Sequence, residues 1–459
     1  MGFIPVDYGL GQATAYTYAV GNALTMRDGV GTTVYQYDAL NRPTAETDAF
    51  GRTVRYSFDD VARTGTLSTD WGTITYQGNI LGQLETVTDP SGGVTRYHYD
   101  LAGSCTQVDY PNGDVITCAY DSVGRLTEIK GAHGATVVSD YDYTHDTAGN
   151  RLTMTNSTGT TGYEYDGDYR LKKATRPGGS YTEYWYDEAG NRTQMTDTTG
   201  GPAKTTTYAY DVNDRLTLVT HPEGTATSYE YDANGNQLRL VEPQGTTVFT
   251  YDEENRLTGI GFPTGTSVEY QYDGQGRRLR IKDPNVEVFY QYGMGQVISD
   301  RDGAGAVIAY YVRGLGGRLI SNVQTAGTRY YHFDGLGSVV ALTDSAGAKV
   351  SSYIYDEFGV LKQSTGQSWN NFELGIVLVL CGAGCAYASR ELDRQKFQRG
   401  EISLAAWQWS QWYTGIAIAS TPIGLIPGCE AWGAAWAILV EVVDCMTRAG
   451  FQAGGEPQE

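Results

Sequence analysis

Apolar and polar positions alternate along most of this chain, and the alternation carries a repeated phrase. An aromatic residue, any residue, a second aromatic and then Asp recur from Tyr37, Phe58 and Tyr76 through Tyr99, Tyr120, Tyr143, Tyr165, Tyr186, Tyr210, Tyr231, Tyr251, Tyr272, Tyr292 and Tyr311 to Phe333 and Tyr355. The spacing averages about 21 residues, the scale of a supersecondary repeat. The copies at Tyr76, Tyr143, Tyr292 and Tyr311 lack an Asp directly after the second aromatic. Side chains alternate across a strand, so Tyr229 and Tyr231 point to one face and Glu230 to the other. The pattern predicts β-hairpins, each with an aromatic face.

Turn chemistry punctuates the phrase. Asp-x-x-Gly or Asp-x-x-Asn follows the aromatics at Asp38 to Asn41, Asp100 to Gly103, Asp121 to Gly124, Asp187 to Gly190, Asp252 to Asn255 and Asp273 to Gly276. The Asp can accept a backbone amide two residues on, and Gly or Asn tolerates the left-handed backbone that closes such a turn. The return strand opens with Arg and Leu at Arg125-Leu126, Arg151-Leu152, Arg215-Leu216 and Arg256-Leu257. The next turn is often Pro-x-Gly, as at Pro90, Pro111, Pro222, Pro243 and Pro263. One such hairpin is marginal alone, so neighbours are expected to pair edge to edge into a long strip.

Tyr330 to Gly359 holds two tight copies, Tyr331-His332-Phe333-Asp334 and Tyr353-Ile354-Tyr355-Asp356, each with Gly three residues beyond its Asp. The units resemble RHS repeats, also called YD repeats, and this stretch is similar to the RHS repeat-associated core signature. The resemblance covers roughly residues 15 to 365 and includes the teneurins. It implies a mainly β repeat array of antiparallel hairpins that curves into a spiral strip or partial shell, which in bacterial members encapsulates a variable C-terminal polypeptide, commonly a toxin. About sixteen hairpins look too few to close a full cocoon.

Composition agrees with turn-rich, aromatic-rich strands: the 459 residues include 59 Gly and 36 Tyr. The formal net charge of -20 argues against nucleic acid as a partner, because phosphate binding needs a basic footprint. The opening Met1-Gly2-Phe3-Ile4-Pro5 has neither the basic start nor the apolar run of a secretory signal. Because it leads directly into repeat-like sequence, the expectation is a piece of a longer polypeptide or a different export route.

No catalytic, cofactor-binding or metal-binding residue is assigned from the sequence, and no cofactor is expected. Asp232-Ala233-Asn234-Gly235-Asn236 has the alternate oxygens of a calcium loop, but Gln237 and Pro243 stand where that loop needs Gly and a bidentate Glu. His98, His133, His145, His221 and His332 are scattered among the hairpins, none spaced as a ligand pair. There is no Gly-x-Ser-x-Gly elbow or phosphate loop, and Gly314-Leu315-Gly316-Gly317 reads as a turn. The tyrosine rings could stack on sugars, or they could pack along the strip and hold neighbouring hairpins together.

Composition changes after residue 368. Six of the eight tryptophans, Trp369, Trp407, Trp409, Trp412, Trp432 and Trp436, lie beyond it, with only Tyr387 and Tyr413 of the tyrosines. Residues 1–368 therefore read as the repeat domain and residues 369–459 as a small hydrophobic helical domain. Leu374 to Ala388 is an apolar run, and Cys429 to Met446 reads as a helix with Glu430 in its first turn and Gly450 beyond its end. Cys429 and Cys445 would lie about 24 Å apart on that helix, too far to bond each other. Any bridge would join them to Cys381 or Cys385, with four buried thiols as the alternative. The tail has no histidine, nine acids and five bases, unlike a basic nuclease. Its apolar runs fit either a membrane-active segment or a buried core hairpin. Ser420 to Gly428 is similar to the self-cleavage segment of RHS shells, but Thr421 stands where the family has its Asp, which puts cleavage in doubt.

The resulting expectation is an RHS-type toxin or effector component, secreted or at the cell surface, whose shell holds its own C-terminal domain as cargo. Partners would be a secretion apparatus, an immunity protein and a target membrane or glycans. The alternative is a cell-surface carbohydrate-binding or adhesion protein. An enzyme is the third class, with no residue to carry it.

Overall fold

Each Tyr-x-Tyr copy lies at the end of a strand, and its alternation sets which side is buried. In Ala226–Tyr231 the ring of Tyr229 is buried while Glu230 is exposed, and Tyr231 packs partly on the same core. The computed structural model describes residues 3–6, 14–19 and 22–366. Among them it forms one 35-stranded antiparallel sheet in which strands pair with their neighbours in sequence, as in Ala226–Tyr231 with Gln237–Glu242 and the latter with Gly245–Tyr251. Apart from a single 3-10 turn at Leu315–Gly317, no helix occurs among the described residues. The expected hairpin array is the observed fold. The tail beyond residue 366, with its expected helices, cysteine pairing and cleavage-like segment, lies outside the described residues.

The strip curves for a local reason. Most hairpins shift register immediately before the second aromatic, at His98/Tyr99, Glu164/Tyr165, Glu230/Tyr231, Gln271/Tyr272 and Ile354/Tyr355 among others. A bulge bends its strand and adds right-handed twist, so one bulge per repeat turns a flat ribbon into a coil.

The coil brings distant hairpins together. Tyr16 reaches Gly274, Arg52 reaches Tyr290, Tyr110 reaches Tyr331, Tyr143 reaches Gly335 and Arg176 reaches Glu357. Both partners advance together, so a first pass of the strip, residues 14–184, runs alongside a second, residues 274–358, in the same direction.

Where the passes meet, the second is covered on both faces. Val297, Tyr311, Leu319, Tyr331 and Leu342 pack with Leu216, Phe249, Ile260 and Leu279. Their sequence neighbours Val312, Ile320 and Tyr330 pack with Ile74, Val87 and Tyr97, and Ile298 packs with Val54, Tyr56 and Leu67. The strands from Glu287 to Thr343 thus form a middle layer between hairpins 54–143 and 216–281. Burial on both faces explains why Val307–Arg313 and Val339–Thr343 lack polar alternation.

Candidate functional site: the seam between the two passes

The repeat unit supplies the framework. In the unit that begins at Asp252, Oδ1 accepts the backbone N–H groups of Glu254 at 3.0 Å and Arg256 at 2.9 Å, and Asn255 adopts φ 60. That is the expected turn, with one addition. The Arg256 guanidinium donates to Asp252 Oδ2 at 2.6 Å and to the Asp273 carbonyl of the next unit at 2.9 Å, and lies 5.2 Å from the Tyr272 ring centroid. The Tyr272 hydroxyl then donates back to the Leu257 carbonyl at 2.8 Å. Arg215 and Tyr231 repeat the arrangement between Asp211 and Asp232. Each Arg therefore staples its own turn to the following hairpin, and the rings pack within the strip.

Two sequence equivalences need correction. Arg151-Leu152 is not in register with Arg125-Leu126: in its unit Asn150 takes the place of Arg and donates to Asp146 at 2.8 Å. Arg151 turns to the other face, 4.7 Å from the Tyr163 ring centroid, and Leu152 is 40% exposed where Leu126 is 7% exposed. The Pro243 turn also differs from the others. Glu242 pairs directly with Gly245, so the connection has only two residues and its Gly belongs to the strand. Asp232 Oδ2 accepts the Asn236 side-chain amide at 2.9 Å, the same turn role as Asp146.

The seam gathers buried polar groups that no local spacing links. Asp114, at the head of Asp114–Tyr120, is fully buried, as are His332 and Thr343 of the second pass. His332 Nε2 lies 3.0 Å from Asp114 Oδ2, which also accepts the Thr343 hydroxyl and the Asn112 amide at 2.9 Å. His133 Nδ1 lies 3.0 Å from Oδ1. Burial works against this carboxylate, but the bonds from His332, Thr343 and Asn112 outweigh it and hold its pKa below the ordinary value. A histidine, a hydroxyl and a carboxylate together invite a catalytic reading. Here the hydroxyl and the imidazole, 3.3 Å apart, both bond the same carboxylate, and all three groups are sealed from solvent with no open face for a substrate. The cluster is a clamp.

Other clamps line the same seam. Arg301 of the second pass grips Asp70 through both guanidinium branches and shares Gln291. Arg277 joins Asp273 at 2.6 Å to Glu46 at 2.8 Å, and Arg176 and Tyr184 both hold Glu357. Trp71 stacks on Tyr310. Two further histidines stay local, His98 against Asp109 at 2.7 Å and His221 against Thr227 at 2.9 Å, and His145 Nδ1 is buried without a hydrogen-bond partner. Glu128, Asp140 and Asp142 bring their oxygens within 4.8 Å of one another, and Lys130 occupies Asp140 at 2.6 Å.

The teneurin YD-shell family model matches residues 141–377. The RHS repeat model matches residues 18–53, 37–63, 81–115 and 120–161. No curated protein matches the chain. Among solved structures, it is similar to a Tc holotoxin pore from Photorhabdus luminescens, with 15% identity and a TM-score of 0.44 over 77% of this chain and 26% of that one. It is also similar to the TcdB2-TccC3-TEV crystal structure, with 16% identity and a TM-score of 0.44 over 77% and 25% of the two chains. The present chain spans about a quarter of the length of those chains.

Proposed function

Since this chain belongs to the teneurin YD-shell family, we propose that its repeats serve as the shell of an RHS-type toxin or effector, with residues 369–459 as the cargo they enclose or present. The observation that carries this reading is the coil itself. Bulged hairpins wind the strip back along its own length, and a continuous wall of 35 strands leads directly into a segment of different composition. A Trp-rich, apolar tail would aggregate or attack membranes if left uncovered, which gives such a wall its purpose.

On this reading the chain divides near residue 368, the tail is membrane-active, and the protein leaves its producing cell with an immunity partner left behind. Among the described residues no helix is long and apolar enough to cross a membrane. The adhesion alternative draws little from the rings. The hydroxyls of Tyr99, Tyr165, Tyr186, Tyr210 and Tyr251 are bonded to carbonyls of the preceding repeat.

The test compares the full chain, a chain ending at residue 368 and residues 369–459 alone, each expressed in bacteria and added to dye-loaded lipid vesicles. Growth arrest and leakage from the tail alone, with the full chain harmless, is the expected result. A tail that associates with vesicles without leakage, together with glycan binding by the truncated chain, would replace the toxin reading with adhesion.

A further inference from the structure

We infer that the face of the middle layer turned toward hairpins 216–281 carries a proton-dependent latch, in which neutral Asp300 keeps the layer seated and ionised Asp300 loosens it. Asp300 lies in Gln296–Arg301, 3% exposed, flanked across the sheet by Tyr290 and Ala309. Its Oδ2 accepts the Tyr311 hydroxyl, and its Oδ1 has no hydrogen-bond partner.

Arg313, the first of the guanidinium groups acting on Asp300, is engaged elsewhere. Arg313 directs Nε to the Val297 carbonyl at 3.0 Å and a terminal nitrogen to the Gly317 carbonyl at 3.1 Å. Asn322 stands opposite Tyr311 in the sheet, and its Oδ1 is also a buried acceptor without a partner. Asp300 Oδ1 and Asn322 Oδ1 are thus two buried acceptors with no donor on either, and a proton on Asp300 converts one acceptor into a donor.

The charged and titratable groups facing Asp300 are Arg313 and Arg278, and the phenols of Tyr290, Tyr311 and Tyr331. Burial raises Asp300 to about 7, against the Tyr311 hydrogen bond and the two guanidinium groups. An unfolded aspartate titrates near ~3.9, so between about pH 4 and about pH 7 the seated layer holds a proton that the opened one lacks. Seating is thus weakened as pH rises through this window and stays at its weakest above it. This direction is opposite to that of Asp114, and it holds whether or not the tail is a toxin.

Hydrogen exchange of the full chain, corrected for intrinsic rates, tests the latch. In the native protein, opening of the strands Gln296–Arg301 and Val307–Arg313 should grow by up to about tenfold per pH unit between about pH 5 and about pH 7, then level off. Asp300→Asn should remove that slope, and an unchanged slope in this variant would overturn the proposal. If Asp300→Asn does not fold, Tyr311→Phe decides: loss of the single donor should move the midpoint to higher pH, and an unmoved midpoint refutes the latch.

Discussion

The indole of Trp71 lies flat on the phenol of Tyr310, ring centroids 4.6 Å apart and planes 9° from parallel. One ring sits on a hairpin tip of the first pass and the other on a strand of the second, so the stack is a contact across the seam. Nothing within either repeat requires it.

Removing either ring should weaken closure of the coil and leave the local hairpins paired. A double-mutant cycle with Trp71→Ala and Tyr310→Ala, read from urea midpoints, should give a coupling energy of about 1 kcal/mol. A coupling indistinguishable from zero would mean that the two rings are adjacent without stabilising the seam.

Asp114 should make the protein acid-labile. Its folded pKa is held below the ordinary value, so its contribution is present above the unfolded value of about 3.9 and disappears as pH falls through the folded one. Asp114→Ala leaves His332 buried opposite an empty position and should cost about 3 to 5 kcal/mol at neutral pH. Thermal melts between about pH 2 and about pH 6 should show a shallower acid loss for Asp114→Asn than for the native chain. Parallel curves would remove Asp114 from the account.

Arg256→Lys keeps the charge but loses the fork that spans the Asp252 carboxylate and the Asp273 carbonyl. A cost of about 1 kcal/mol is expected. It should be confined to faster amide exchange at residues 252–256 and 273–277, with the seam unaffected.

The strands, the Asp turns and the aromatic face were legible because each depends on residues within one or two hairpins. Asp252, Asn255 and Arg256 are neighbours in sequence and in space. The return-strand Arg was visible but its second role was not, because the carbonyl it reaches belongs to the following unit. One residue of phase also went unread: where Asn150 occupies the Arg position, Arg151 moves to the opposite face. The seam was not legible at all. His332 and Asp114 are 218 positions apart, and no spacing rule relates them. One local sign did mark the middle layer: Val307–Arg313 abandons alternation, as a strand buried on both faces should. The tail's helices, thiols and membrane activity remain proposals from sequence.

Pairing between sequence neighbours has a kinetic corollary. Between residues 22 and 366 the ladder uses short loops, so backbone bonds can form a hairpin at a time as the polypeptide leaves a ribosome or a narrow export channel, with little entropy lost at each step. Clamps such as Asp114 with His332 must wait until more than two hundred further residues have been delivered. Assembly should therefore proceed in two tempos, a rapid threading of the ribbon and a late, rate-limiting closure, and truncated chains lacking the second pass would be ordered locally yet gape.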